Sequence, residues 1–174
     1  MAKVYIKSSA EIELMRESNR IVAEVLKMMN AMIKPGVTTK ELDQFAEEFI
    51  RSRQAEPAFK GYGTDKKNLF PASLCISIDD EVVHGIPGSR KLNEGEIVSI
   101  DVGVKKNRFY GDGAWTFAVG RISSEKQRLL QVAEESLYEG IKQAVSGKKV
   151  HDISAAVQQR VESEQRLHRR QRRY

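Results

Sequence analysis

An α+β fold is what this sequence predicts, on three observations. The chain opens with two stretches of helically spaced apolar residues, each behind a Ser/Thr-x-x-Glu capping box. From residue 57 to 120 the pattern changes to short apolar runs broken by Gly, Pro and Asp, which reads as strands and turns. Two more helical stretches close the chain.

Taken in order, Ser8-Ser9-Ala10-Glu11 caps a helix carrying Ile12, Met15, Val22, Val25, Leu26, Met29 and Ile33, and Pro35-Gly36 stops it. Thr38-Thr39-Lys40-Glu41 opens a second helix with Leu42, Phe45, Ala46, Phe49 and Ile50 on one face. Strands are expected at 74–78, 81–84, 97–104 and 109–119. Ser123-Ser124 starts a third helix with Leu129, Leu130, Val132, Ala133 and Leu137, which Gly147 ends. Asp152 starts a fourth with Ile153, Val157 and Val161. The first and last pairs of helices form a weak repeat. Shifted by 111 residues, Gly36 falls on Gly147, and Leu42, Ala46 and Ile50 fall on Ile153, Val157 and Val161. Any two helical hairpins share some of this pattern. If the repeat is real, strands should follow the fourth helix, as they follow the second.

Composition narrows the function classes. At 174 residues, 40% hydrophobic and 30% charged, the chain can bury one globular core. No apolar run approaches the roughly 18 residues of a membrane span. The N-terminus lacks a signal-peptide core, so a cytoplasmic location is expected. The single cysteine, Cys75, excludes an internal disulfide and a cysteine-based zinc site. The net charge of +5 sits largely in residues 162–174, which hold five arginines and two glutamates, so the basic balance is weak evidence for a nucleic-acid partner. No glycine-rich phosphate loop follows a strand, and no Ser or Cys nucleophile has its partners.

Two aspartates stand out, one in each of the last two expected strands: Asp101 and Asp112. With a turn at Lys106-Asn107 the hairpin would pair them directly, about 5 Å apart at Cβ. Like charges so placed are destabilising. Either one carboxyl stays protonated, or a hard or borderline divalent cation lies between them, or both point to solvent. Val98, Ile100, Val102 and Val104 supply an apolar face opposite Asp101, which leaves these choices open. His84, at the end of an expected strand and before Gly85, is a candidate site residue. His151 and His168 lie in helix-start and tail contexts and carry little functional weight. Cys75, in an apolar strand, reads as packing or pocket wall.

The segments IKPGVTTKELDQFAEEFIRSR, EPAFKGY, FPASLCISIDDEVVHGIPG, LNEGEIVSIDVGV, YGDGAWTFAVG and DISAAVQQRVES resemble type I methionine aminopeptidases, in register from about Tyr5 to Ser163. The resemblance implies the pita-bread α/β fold, two related halves around a cleft, with the first half complete here and the second largely missing. It implies an incomplete catalytic domain at 1–163 and a basic tail at 164–174. It further implies hydrolytic removal of N-terminal methionine from nascent chains, with two divalent ions (Co, Mn, Fe or Zn). Asp112 would bridge both ions and Asp101 would chelate one. His84 would face the substrate, and Phe59, Tyr62, Phe70 and Cys75 would line the methionine pocket. The remaining ligands of that family, a histidine and two glutamates, have no matching motif after Ser163, so the chain as it stands is expected to be inactive. The absent strands should also leave apolar surface of the first sheet exposed. The full-length form is expected to be a monomer with no membrane partner.

Residues 166–174 depart from the family's continuation. Permitted codons for them, read one base later, give Gly-Phe-Thr-Val-Val-Arg-Asp-Val, the continuation the family calls for. A frameshift near Glu164 is therefore one reading. An arginine-rich RNA-binding tail is the other. Two further functions stay open beside the peptidase: a pita-bread-like module that binds peptides or a partner without cleaving, and a basic-tailed nucleic-acid binder.

Overall fold

The structure, a computed structural model, describes residues 4–65 and 67–171, with side chains through residue 164. The elements are α1 (Ser9–Met32), α2 (Thr39–Ser52), β1 (Glu56–Pro57), β2 (Leu74–Ile78), β3 (Ile97–Lys106), β4 (Phe109–Ala118), α3 (Ser124–Gln143) and α4 (Val150–Gln171). They fall into two compact units, Met1–Ile122 and Ser123–Tyr174.

In the first unit both capping boxes form: Ser8 with Glu11, and Thr38 with Glu41, each side chain satisfying the other residue's backbone N–H. β3 is the central strand. β4 pairs along its whole length on one edge, and β1 and β2 pair with different parts of it on the other, all antiparallel. Alternate residues point to opposite faces. Val98, Ile100, Val102 and Val104 are fully buried with Leu74, Ile76 and Ile78 from β2, Val25 and Met29 from α1, and Leu42, Ala46 and Ile50 from α2. The apolar face is thus covered by the chain's own helices, contrary to the expectation of an exposed apolar sheet. The opposite face is polar, with Ser99 and Thr116 joined by a hydrogen bond of 2.8 Å and Asp101 beyond them.

Two local expectations are corrected. The segment 81–84 is not a strand. His84 takes a left-handed φ of 59°, which a ladder residue cannot hold. The segment meets β2 through isolated bonds rather than a ladder: the Gly85 carbonyl accepts from the Ile76 N–H at 2.9 Å, the Gly85 N–H donates to Ser77 Oγ at 3.2 Å, and the Glu81 side chain accepts from the Ile78 N–H at 2.8 Å. The β3–β4 turn is Asn107-Arg108, one residue later than expected. Both residues have positive φ, 51° and 68°, the requirement of a type I′ hairpin turn. Asn adopts that conformation more readily than Lys106 would.

In the second unit α3 begins at its N-cap Ser123, as expected, and ends at Gln143, four residues before Gly147. α4 begins at Val150, two residues before the expected start. α3 and α4 pack on each other, Gly140 facing Val157 and Ile153. Arg128 pairs with Glu164, and Arg160 with Glu135. The side chains of the tail from residue 165 lie outside the described residues. No helix among the described residues is long and apolar enough to cross a membrane.

Candidate metal centre

The later turn moves the β3–β4 register by two residues. Asp101 pairs with Ala114, and Asp112 with Gly103, so the aspartates are diagonal neighbours rather than a direct pair. A two-residue slip keeps the same face. Both carboxylates therefore still lie on the polar side of the sheet, with Cβ separations somewhat under the ~7–8 Å of diagonal Cα neighbours. The wider spacing reduces their repulsion and leaves room between them.

Asp101 carries the clearest electrostatic signal. Its Oδ1 is buried without a hydrogen-bond partner. Burial, and then the Asp112 charge, push its carboxyl above the usual range, against weaker opposing effects from His84 and the Val102 N–H. On its other flank Cys75 pairs with Asp101 across β2–β3. Burial, with the charges of Asp101, Asp112 and Asp43, pushes that thiol up to about 11, so it is protonated at neutral pH and poorly suited to act as a nucleophile.

These groups open into a cavity of about 660 Å³. Every site residue expected from the sequence lines it: Phe59, Tyr62, Phe70, Cys75, His84, Asp101 and Asp112. Their exposure differs. Cys75 is buried, Phe59 and Phe70 are half-buried, and Tyr62 stands at the rim, 77% exposed. Asp112 and His84 are exposed. The backbone of His84 is held in place by its neighbour, since a Cβ on Gly85 would fall 2.0 Å from the Ile76 carbonyl oxygen. An immobilised non-glycine residue with left-handed φ at a cavity edge is the kind of strain that accompanies function. Ala58, Ile86 and Tyr110 also line the cavity and were not anticipated. Tyr110 could have been, because it lies two residues before Asp112 and hence on the same face.

An unpaired buried carboxylate oxygen beside a second carboxylate is a donor set that fits a hard or borderline divalent cation. It is only part of one. Among the described residues, no group of three or more His, Cys, Asp or Glu is placed to hold a metal ion.

Comparison with known proteins bears on the fold and the family. Methionine aminopeptidase 1 of Bacillus subtilis is 49% identical over 162 residues, 93% of this chain and 63% of that protein. The solved methionine aminopeptidase of Rickettsia prowazekii superposes with a TM-score of 0.87 at 36% identity, covering 93% of this chain and 63% of that one. That of Thermotoga maritima gives the same TM-score and identity over 92% of this chain and 63% of that one. The expected pita-bread fold, seen in these neighbours, is borne out. The chain thus spans about 63% of the length of the relatives it matches. The family model for metallopeptidase family M24 matches residues 13–173, almost the whole sequence, and this chain belongs to that family.

Proposed function

We propose that the protein of which this chain is part removes N-terminal methionine from nascent proteins in the cytoplasm, and that these 174 residues supply the metal-binding aspartates and the side-chain pocket of that reaction. The observation that carries the reading is the unpartnered Oδ1 of Asp101 on the same face as Asp112. Asp101 and Asp112 would hold divalent metal, Co, Mn, Fe or Zn, two ions in the full-length form. A divalent ion so held polarises a peptide carbonyl and lowers the pKa of water. The chain's own groups do the rest. Phe59, Phe70 and the thiol of Cys75 exclude water from the side-chain end of the cavity, Tyr62 covers its rim, and His84 faces the substrate near the reacting bond.

With two carboxylates and no third ligand among the described residues, the 174-residue chain by itself binds metal weakly and does not turn over. The domain division proposed with this reading is an incomplete catalytic part at 1–163 and a basic tail at 164–174. On the permitted-codon argument, residues 164–174 are assigned to a shifted reading frame, and resequencing around codon 164 decides between this and a genuine basic tail. The full-length form acts as a monomer on methionyl peptides, without a membrane or a specific nucleic-acid partner.

Calorimetric titration of the chain with MnCl₂ tests the metal reading. Weak binding is expected, lost in Asp101→Asn and in Asp112→Asn, with no cleavage of a Met-Ala peptide. Binding that neither substitution weakens, or turnover at an ordinary enzymatic rate, overturns it. The non-catalytic alternative gains support if restoring the frame yields a folded protein that binds methionyl peptides and leaves them intact.

A further inference from the structure

Gly103 sits in the middle of the longest strand pair, opposite Asp112 and two residues after Asp101 on the same face. A glycine there weakens a strand and needs a reason. Its backbone is ordinary, since it is absent from the residues with positive φ, so conformational freedom is not the reason. Space is. A Cβ at position 103 would lie 2.5 Å from Cε1 and 2.9 Å from Cδ1 of Phe59, and 3.0 Å from the Cβ of Ala58. The Phe59 ring therefore rests against the bare Cα of Gly103, with the cavity on its other side.

The segment that carries this ring cannot retreat. The Ala58 N–H donates to the carbonyl of Gly103 itself at 2.9 Å. Tyr62 N–H donates to Phe59, Phe70 N–H to Tyr62, and Gly61 N–H to Phe70, closing the aromatic wall on itself. Lys60 ties the wall to α2 through Glu47 at 2.5 Å. A side chain added at 103 can be accommodated in one direction, by pushing the ring into the cavity.

We propose that Gly103 is a specificity-determining residue: through Phe59 it sets the length of the apolar side chain that the cavity accepts. The inference rests on the cavity taking a substrate side chain, as in the function proposed above. Its test uses binding rather than turnover, so it is separable from the metal reading, which the manganese titration decides. Ligand-observed NMR on the 174-residue chain measures affinity for L-norleucinamide, with a four-carbon side chain, and for L-alaninamide.

The wild-type chain is expected to prefer norleucinamide. Gly103→Ala should weaken norleucinamide about tenfold, the scale of losing room for a methylene or two, and leave alaninamide unchanged. In a Phe59→Ala background the ring is gone, and Gly103→Ala should then have no effect on either amide. Phe59→Ala alone should shift preference toward 2-aminooctanamide, which reports on the ring even if Gly103→Ala does not fold. A Gly103→Ala single variant that fails to fold while the double variant folds also supports a clash through Phe59. Four results overturn the inference: wild type that binds neither amide, Gly103→Ala that folds and keeps the wild-type preference, a Gly103→Ala effect that persists without Phe59, or Phe59→Ala that does not favour the longer probe.

Discussion

The hairpins α1–α2 and α3–α4 begin from the same local pattern and bury different things. Their second helices start at Thr39 and Val150, 111 residues apart, the offset read from the sequence. The glycines that end the connections, Gly36 and Gly147, have φ of 92° and 86°. The first turns match as well: the Thr38 N–H donates to Glu41 at 2.7 Å, and the Lys149 N–H to Asp152 at 2.7 Å. Beyond the caps the hairpins part. Val25 and Met29 of α1 are fully buried, and their counterparts in α3 are Ser136 and Gly140. Leu42, Ala46 and Ile50 of α2 are fully buried, whereas Ile153, Val157 and Val161 of α4 are half-buried. The first hairpin lies on a sheet and needs large apolar side chains to fill the layer between. The second has no strands after it within the described residues, and its helices approach each other through small residues. Local signals thus set where helices begin and turn, and the neighbouring layer sets what each position is worth.

The largest expected effect follows at the paired positions Leu42 and Ile153. Leu42→Ala should cost about 3 kcal/mol, because a fully buried leucine leaves a cavity that rigid strands cannot fill. Ile153→Ala, half-buried at the equivalent site, should cost about 1 kcal/mol. Urea unfolding followed by circular dichroism measures both. Equal losses would break the comparison, since position in the repeat would then matter more than the layer beneath it.

Gly140 sharpens the comparison with a smaller change. A Cβ there would lie 2.9 Å from Cγ2 of Val157, a β-branched side chain with little rotamer freedom. Overpacking of this kind costs about 1–3 kcal/mol, and replacing a mid-helix glycine by alanine returns about 1 kcal/mol. Gly140→Ala should therefore be destabilising by about 1 kcal/mol, the balance of those two effects. Stabilisation on thermal unfolding would mean that α3 and α4 are not in close contact at this point.

Much of this was legible in the sequence, for physical reasons that differ by element. Both capping boxes were readable because they are local: four residues specify each. β2 was readable to the residue because LCISI is a short apolar run between polar turns. The site residues came from matching motifs, and the cavity unites all of them. The misplaced turn had a different origin. Counting strand residues centres a hairpin, but left-handed backbone at Asn107 and Arg108 decides where it closes. The false strand at 81–84 rested on the apolar pair Val82-Val83, which is 89% and 65% exposed and packs in no ladder. The apolar residues of α3 marked a helix that is there, although Leu129 and Leu137 are exposed. Gly103 was visible only as a letter in IDVG, because its partner Phe59 is 44 residues away and nothing local links them.

An effect no larger than these, and the one that joins the fold to the site, is the pH dependence contributed by Asp101. Its folded carboxyl is raised above the ordinary value of 3.8 by burial and by Asp112. Between that value and the raised one, the folded state holds a proton that the unfolded state has released. Stability therefore falls as pH rises through this window, and above it the cost of a buried, partly unpaired charge is fully present. Asp101→Asn removes the charge and the titration together. The metal-free variant should melt a few degrees above wild type at pH 7, about 1 kcal/mol for a chain of this size. The gain should shrink as pH falls through the window and vanish below 3.8, where wild type is protonated too. Manganese should reverse the order at pH 7, raising the melting temperature of wild type and leaving the variant where it was. A variant less stable than wild type without metal, or a gain independent of pH, would show that Asp101 supports the sheet and that its unpaired oxygen is not held ready for a cation.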